Sequence, residues 1–337
     1  MDNLDNIAVS IKDLIVEYKT DDGNVQAVNG VSLHVKKGKT LGIVGETGAG
    51  KTTTALAMLR LIPDPPGIVK SGKIFIEGED IFEKSENEMN KIRGDVVSMI
   101  FQDPMTSLNP VLTVGDQIAE SISVHQGLGH NESMKKAGEM LELVGIPAYR
   151  SGEYPHQFSG GMKQRVGIAI ALSCNPHLLI ADEPTTALDV TIQAQVLELM
   201  KSLREKYETS MIMITHDLGI VAEVCDDVSI MYGGRIIEHG TLEDIFKNTK
   251  HPYTEGLFNS LPNLANRTEK LKPIRGLMPD PIRLPSGCVF HPRCLYAQEI
   301  CKERVPVDTV LSDTHRVSCL AYEEGTGVKV GGGGKIV

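Results

Sequence analysis

The sequence contains no apolar run close to the roughly 20 residues that a membrane-spanning helix requires. Its first residues also form no apolar segment, since Asp2 and Asp5 flank Leu4, so a secretory signal is not predicted. We therefore expect a cytoplasmic protein that reaches a membrane only through its partners.

The sequence also has no excess of basic over acidic residues. The chain carries 34 Lys and Arg against 44 Asp and Glu, which gives a net charge of −10. Sequence-independent binding of nucleic acid usually needs a clustered basic face. The charge therefore argues against nucleic acid as a partner.

Cysteine is scarce, and no C-x-x-C pair occurs among its six copies. In a reducing compartment such residues are more often thiols or metal ligands than disulfides. Cys174 and Cys225 are predicted to be small buried residues. The other four share a proline-rich stretch late in the chain: Cys288, Cys294, Cys301 and Cys319.

Four thiolates around one point suit Zn²⁺ or an iron–sulfur cluster. The absence of a C-x-x-C pair weakens the structural-zinc interpretation. Unligated thiols are the third interpretation. A metal at this place would stabilise a segment that lacks a large core of its own.

The composition, 41% hydrophobic and 23% charged, is that of a globular protein, and the length predicts about two units. Alternating apolar and polar residues over 7–18 and 31–35 predict the strands of a β-rich opening subdomain. Unbroken apolar runs at 41–44, 178–181 and 211–214 are each followed by a helix-like segment. They predict a mostly parallel sheet with crossover helices.

Residues 104–175 have mainly helical spacing, which predicts a helical subdomain inserted into the α/β core. Residues 228–238 are predicted to form a hairpin, and Thr241 to begin a short helix. Beyond Lys250, eight prolines interrupt regular structure. The last segment, 325–337, contains four consecutive glycines and is predicted to be flexible.

A glycine-rich segment lies between the strand at 41–44 and a helical stretch. It reads Gly45, Glu46, Thr47, Gly48, Ala49, Gly50, Lys51, Thr52, with Thr53 next. The spacing G-x-x-x-x-G-K-[ST] between strand and helix predicts a P-loop, and this context argues against an ordinary glycine turn. The glycines let backbone N–H groups surround phosphates, Lys51 can reach the β- and γ-phosphates, and Thr52 can ligate Mg²⁺.

The apolar run at 178–181 ends in two carboxylates, Asp182 and Glu183. We assign Asp182 to Mg²⁺, held through water, and Glu183 to polarising the attacking water. An acidic pair that only caps the following helix is the alternative, and the P-loop argues against it.

Residues 158–165, Phe-Ser-Gly-Gly-Met-Lys-Gln-Arg, lie upstream of the acidic strand. They resemble the signature motif of the ATP-binding-cassette (ABC) ATPases, with Phe158 and Met162 in place of the commoner Leu and Gln. The motif's Ser159, Gly160 and Gly161 are present.

Further residues are similar to functional positions of that family. Gln102 corresponds to the Q-loop glutamine and 187–189, with Asp189, to the D-loop. His216 corresponds to the switch histidine, and Tyr18 to the aromatic residue that stacks on adenine. The resemblance implies that Gln102 also ligates Mg²⁺ and that Glu183, His216 and Gln102 are catalytic.

The family resemblance implies a head-to-tail pair of ATPase subunits. The signature residues of one subunit would contact the γ-phosphate held by the P-loop of the other. ATP binding would favour the closed pair and hydrolysis would weaken it. The helical subdomain, linked through Gln102, would transmit this change to membrane partners.

Three segments, 103–110, 154–162 and 287–294, resemble the dipeptide and oligopeptide importer ATPases, a group that includes nickel importers. This implies a [4Fe–4S] cluster at the four late cysteines, with Zn²⁺ as the alternative. It also implies a second ABC ATPase subunit, two membrane permeases and, indirectly, an extracytoplasmic peptide-binding protein. Dipeptides, oligopeptides and nickel complexes all stay open as cargo.

A non-transport ABC ATPase is a more distant alternative. Repair members carry a long coiled coil between P-loop and signature, and translation members usually carry two cassettes, whereas this chain has neither. The expected fold is α/β: a P-loop ABC core with a β-rich N-terminal subdomain and an inserted helical subdomain. The expected domains are an ABC core over 1–250, an irregular Cys-rich extension over 251–324 and a tail over 325–337.

Overall fold

The computed structural model describes residues 6–103, 107–186, 188–261 and 273–330. The chain divides into two compact units, each built from separate stretches. The first unit comprises Met1–Ser10, His34–Thr40 and Phe75–Ile214. The second comprises Ile11–Leu33, Leu41–Ile74 and Thr215–Val337.

The strands, in chain order, are β1 (Ile7–Thr20), β2 (Gly23–Lys36), β3 (Thr40–Val44), β4 (Gly67–Ile76), β5 (Glu79–Asp80), β6 (Val97–Ile100), β7 (Leu178–Asp182), β8 (Ser210–Thr215), β9 (Asp227–Tyr232), β10 (Arg235–Thr241), β11 (Thr309–Val310) and β12 (Arg316–Val317). The helices are α1 (Lys51–Met58), α2 (Glu86–Ile92), α3 (Val114–Gln126), α4 (His130–Leu143), α5 (Gly160–Leu172), α6 (Val190–Tyr207), α7 (Leu218–Val224), α8 (Leu242–Lys247), α9 (Pro252–Asn259) and α10 (Glu299–Glu303).

The first unit contains a parallel sheet in which β7 lies between β6 and β8. Every residue of β7 and β8 is buried, as their unbroken apolar runs predict. Helices α3, α4 and α5 fall within the stretch that was predicted to be helical. The expectations of parallel strands and of an inserted helical segment are confirmed.

The second unit contains β3, the strand that leads into the P-loop. It pairs in parallel with β9, and β9 pairs in an antiparallel manner with β10. The predicted hairpin and the short helix after Thr241 are both present. Beyond the hairpin, β12 pairs with β10 and β11 with β12. The C-terminal residues thus extend the same sheet as the P-loop strand, which the sequence did not indicate.

The opening strands are longer than the alternating pattern predicts. Strand β2 begins at Gly23 rather than near Val31. Its first half contains the polar residues Asn24, Gln26 and Asn29, which hide the alternation. A long-range contact supports this half instead, since the Asn29 side chain donates to the carbonyl oxygen of Gly233 at 3.0 Å.

Within the described ranges, no helix is both long enough and apolar enough to cross a membrane.

A buried carboxylate connects β10 to the C-terminal residues. Glu238 is 1% exposed and accepts hydrogen bonds from the backbone N–H groups of Lys250 at 2.7 Å and His251 at 3.0 Å. Its Oε1 lies 2.9 Å from Nε2 of His315. Burial lowers the pKa of His251 to about 4, so this ring is neutral at pH 7. The Glu238 side chain therefore connects β10 to two other segments, residues 250–251 and the ring of His315.

Replacing Glu238 by Ala should lower the free energy of unfolding by about 3–5 kcal/mol, because two buried N–H groups and the His315 ring lose their acceptor. Urea denaturation measures this directly. The matched control is Glu243→Ala, which removes an exposed carboxylate paired with Lys247 at 3.2 Å and should cost less than about 1 kcal/mol. Equal losses in the two variants would contradict the role given to Glu238.

Candidate functional site

The glycine-rich segment forms the predicted loop between a fully buried strand, β3, and α1. A Cβ on Gly45 would overlap the backbone oxygen of Met231, and one on Gly50 would overlap that of Ala27. Gly48 has open space around it but adopts a φ of +83°. Gly45 and Gly50 are therefore required because a Cβ would overlap neighbouring backbone, and Gly48 is favoured because its φ is positive.

Lys51 is the first residue of α1 and is only 6% exposed. Its Nζ donates to the backbone oxygens of Gly45 at 2.8 Å and Glu46 at 3.1 Å. These contacts hold the ammonium group against the loop that is predicted to bind phosphate.

The side chain of Glu46 is bound by an arginine from the far end of the chain. Arg293 donates from Nη1 to Oε2 at 2.6 Å and from Nη2 to Oε1 at 3.1 Å. Burial opposes the charge on Arg293, but the hydrogen bonds to Glu46 and Tyr232 raise its pKa above the usual range. This contact could not be predicted from the sequence, because 247 residues separate the partners and they belong to two different motifs.

Tyr18 lies beside the first turn of α1. Its hydroxyl donates to Thr53 Oγ1 at 3.5 Å, and its ring edge lies against the backbone at Gly67. Thr52, the predicted magnesium ligand, is exposed. The structure thus brings the predicted adenine residue to the predicted phosphate loop.

In the first unit, Asp182 ends β7 and is 2% exposed. Glu183 follows with a φ of +46°, a left-handed backbone that costs a non-glycine residue roughly 1 kcal/mol. Its Oε2 accepts hydrogen bonds from Gln102 Nε2 at 3.1 Å and Thr186 Oγ1 at 3.0 Å. Two residues predicted to be catalytic, 81 positions apart, are in contact.

The signature residues open α5. Ser159 caps the helix by accepting the N–H of Met162 at 3.4 Å, and Ser159 and Gly160 are exposed. The two departures from the family pattern share a neighbour: the Arg150 guanidinium stacks on the Phe158 ring at 4.5 Å, and its Nη1 lies 3.5 Å from Met162 Sδ. Arg150 thus packs against both substituted residues, and the Ser159 and Gly160 positions of the motif stay exposed.

The remaining predicted nucleotide residues lie at helix starts. Asp189 caps α6 by accepting the N–H of Ile192 at 3.0 Å. Ala187, part of the predicted D-loop, lies outside the described residues. His216 is exposed immediately after β8, and Asp217 caps α7.

The four late cysteines line one small cavity of about 20 Å³, together with His251, His291 and Tyr296. Backbone hydrogen bonds connect the cysteine segments: the N–H of Cys288 donates to the backbone oxygen of Cys301 at 2.9 Å, and the N–H of His291 donates to the backbone oxygen of Cys288 at 2.9 Å.

Burial, with repulsion between the thiolates, raises the pKa of Cys294 to about 11 and of Cys319 to about 12. Within the described residues, no group of three or more His, Cys, Asp or Glu side chains is placed to hold a metal ion. Cys174 and Cys225 are buried elsewhere, as predicted.

Residues 28–186 match a family described as "ABC transporter", and residues 237–301 match one described as "Oligopeptide/dipeptide transporter, C-terminal region". The oligopeptide transport ATP-binding protein OppD of Bacillus subtilis is 53% identical over 92% of this chain and 87% of its own length. The chain belongs to the ABC transporter ATPases. Another member of this family, the dipeptide transport ATP-binding protein DppD of Bacillus subtilis, is 49% identical over 94% of this chain and 95% of its own length.

Solved ABC ATPases have the same fold. A dimeric post-hydrolysis state of the cassette MJ0796 bound to ADP and Pi superimposes with a TM-score of 0.63 at 28% identity. It covers 69% of this chain and 98% of its own. The cbiO1 protein of Clostridium perfringens gives a TM-score of 0.61 at 28% identity, over 72% of this chain and 91% of its own. The expected α/β ABC fold is confirmed.

Replacing Gly45 by Ala should weaken nucleotide binding about tenfold or more and lower the melting temperature, because the new Cβ overlaps the rigid backbone of Met231. Titration calorimetry and thermal unfolding measure the two effects. The same change at Gly167, within α5 and with no atom within 4 Å of its Cβ, should be neutral or stabilising by about 0.5–1 kcal/mol. Wild-type affinity in the Gly45 variant would contradict this account of the loop.

Proposed function

We propose that this ABC ATPase drives the uptake of dipeptides or oligopeptides from the cytoplasmic face of the cell membrane. The observation that carries the cargo assignment is the extent of the similarity: relatives named for oligopeptide and dipeptide transport match 92% and 94% of the chain. The match to the oligopeptide/dipeptide C-terminal family adds support from a region outside the nucleotide motifs.

In the proposed mechanism, the backbone amides of residues 45–53 and Lys51 bind the phosphates, and Tyr18 stacks on adenine. Glu183 polarises the attacking water, and Gln102 orients it. The hydrogen bond from Gln102 and the strained backbone at Glu183 support these roles, since strained positions cluster at functional sites. His216 and Asp189 act on the γ-phosphate side.

Magnesium is proposed to bind Thr52, Gln102 and Asp182. These offer a hydroxyl, an amide oxygen and a carboxylate, which are the oxygen ligands that Mg²⁺ prefers. The Gln102 side chain contacts Glu183 through its amide nitrogen, and the amide oxygen is the atom that would bind the metal ion. Magnesium would neutralise charge on the phosphates.

The working unit is proposed to be a pair of ABC ATPase subunits, this chain with a related chain or with a second copy. The exposed Ser159 and Gly160 support a signature motif that acts on the nucleotide of the other subunit. The MJ0796 cassette, to which this chain is similar, forms dimers in solved structures. Two membrane permeases and, indirectly, an extracytoplasmic peptide-binding protein complete the proposed assembly.

A [4Fe–4S] cluster, with Zn²⁺ as the alternative, is proposed at Cys288, Cys294, Cys301 and Cys319. All four line one cavity, and cysteine thiolates are the ligands that hold iron–sulfur clusters and many Zn²⁺ ions in proteins. Buried thiols with raised pKa values stay protonated unless a metal displaces the protons. The cluster would stabilise the fold of this segment rather than transfer electrons.

Replacing Glu183 by Gln should stop ATP turnover while nucleotide binding persists, because the shape is kept and the carboxylate is lost. Cells that carry this variant should lose uptake of a labelled tripeptide. Glu198→Gln, the same change at an exposed site on α6, should preserve hydrolysis and uptake. Steady-state hydrolysis at the wild-type rate would remove Glu183 from its role, and persistent peptide uptake would contradict the transport assignment.

Protein purified without oxygen should be brown, with about four irons per chain. Replacing Cys294 by Ser should remove the colour and make the cysteine region the first site of limited proteolysis. Cys174→Ser, a buried cysteine outside the cavity, should keep the iron. One zinc without iron or sulfide would favour the alternative metal, and the absence of both metals would contradict the four-cysteine site.

A further inference from the structure

Arg293 is fixed by neighbours on several sides, and its side chain is only 6% exposed. Besides its paired contact with Glu46, its Nε donates to the backbone oxygen of Arg275 at 3.0 Å. Its Nη1 lies 3.4 Å from the Tyr232 hydroxyl, and the guanidinium lies 5.7 Å from the centre of that ring. This guanidinium has little freedom to move unless its neighbours move.

Glu46 connects Arg293 to the phosphate loop, because its side chain binds the arginine and its backbone belongs to the loop. Its backbone N–H donates to the hydroxyl of Tyr253 at 3.0 Å, and its backbone oxygen accepts from Lys51 Nζ at 3.1 Å. Tyr253 is fully buried, with its ring 4.6 Å from that of Tyr232 and 5.4 Å from that of Phe290. A shift of Glu46 therefore displaces both the loop backbone and the lysine ammonium.

The other end of the connection is the cysteine cavity. Arg293 immediately precedes Cys294, and the short 3₁₀ helix His291–Arg293 lies between Cys288 and Cys294. Phe290, in the same segment, lines the cavity and packs on Tyr253 and Tyr232. Ligation of the two flanking sulfurs would fix both ends of the segment that carries the guanidinium.

We propose that Arg293 is a positioning residue for the P-loop, and that ligation of the cysteine cavity sets the affinity for nucleotide through the Arg293–Glu46 pair. The proposal rests on the proposed ATP and metal sites, and it adds a connection between them. A purely structural role would predict lower stability for an Arg293 variant without any dependence of nucleotide affinity on the metal.

The first test is magnesium–ADP titration of Arg293→Met. We expect affinity to fall about tenfold, as for loss of a charged hydrogen bond, with metal content unchanged and faster hydrogen exchange at residues 45–51. Arg293→Lys, which keeps the charge but not the paired geometry, should fall between Met and wild type. Arg304→Met is the control, since that arginine pairs with Glu323 in the same C-terminal region, away from the loop. It should bind ADP as the wild type does.

The second test removes the metal by anaerobic chelation in both proteins. Affinity for ADP should fall in the wild type but hardly change in Arg293→Met, because the connection is already broken. Equal falls in the two proteins, or wild-type affinity in Arg293→Met, would overturn the proposal.

If the purified protein contains no metal, the proposed link between the cysteine cavity and nucleotide affinity is wrong. The titration of Arg293→Met then still decides whether Arg293 positions the P-loop. Absence of any ADP binding by the wild type would instead contradict the proposed function. Thermal unfolding of each variant confirms that an affinity change is not a loss of fold.

Discussion

The close packing of the P-loop against neighbouring backbone is the constraint on which the second unit depends. Gly45 lies against Met231 of β9, and Gly50 against Ala27 of β2, with no room for a Cβ at either place. A loop packed this tightly has few accessible conformations. Backbone amides that bind phosphate are most effective when they already have the bound geometry. The strands β2 and β9 therefore have a functional requirement as well as a structural one.

The C-terminal residues pair with the sheet that contains the P-loop strand and do not form a separate appendage. They contain few apolar residues in regular elements, which is why the sequence predicts an irregular extension beyond residue 250. Polar contacts take the place of a large core: β12 joins the edge of β10, and Glu238 satisfies the backbone at 250–251 and the ring of His315. Both oxygens of the buried Glu238 carboxylate accept hydrogen bonds, and a buried polar group that is satisfied in this way helps to specify one arrangement of its neighbours.

The elements that could be predicted from the sequence are those whose signals are local. The P-loop, the acidic end of β7 and the hairpin each lie within about ten residues, where spacing alone carries the chemistry. The contact of Arg293 with Glu46 could not be predicted, because 247 residues separate the partners. The contacts of Arg150 with Phe158 and Met162 are closer in sequence, but they depend on how the chain folds back and follow no regular spacing. The early start of β2 was missed for the same reason, since a contact of Asn29 with Gly233 supports a stretch without apolar alternation.

In the Arg293–Glu46 pair the arginine side chain is 6% exposed and the glutamate side chain is 29% exposed, so the two charges are largely removed from water. An ion pair in this position suits the connection that we propose better than it suits stability. Taking two charges out of water costs nearly as much as their attraction returns, so an apolar pair of similar volume could hold the segments together at least as well. Displacing one partner, however, leaves the other charge uncompensated and is strongly unfavourable. A pair of this kind contributes little to stability while it is intact and is strongly destabilised when either side moves, which is the behaviour that our proposed connection between the cysteine cavity and the P-loop requires.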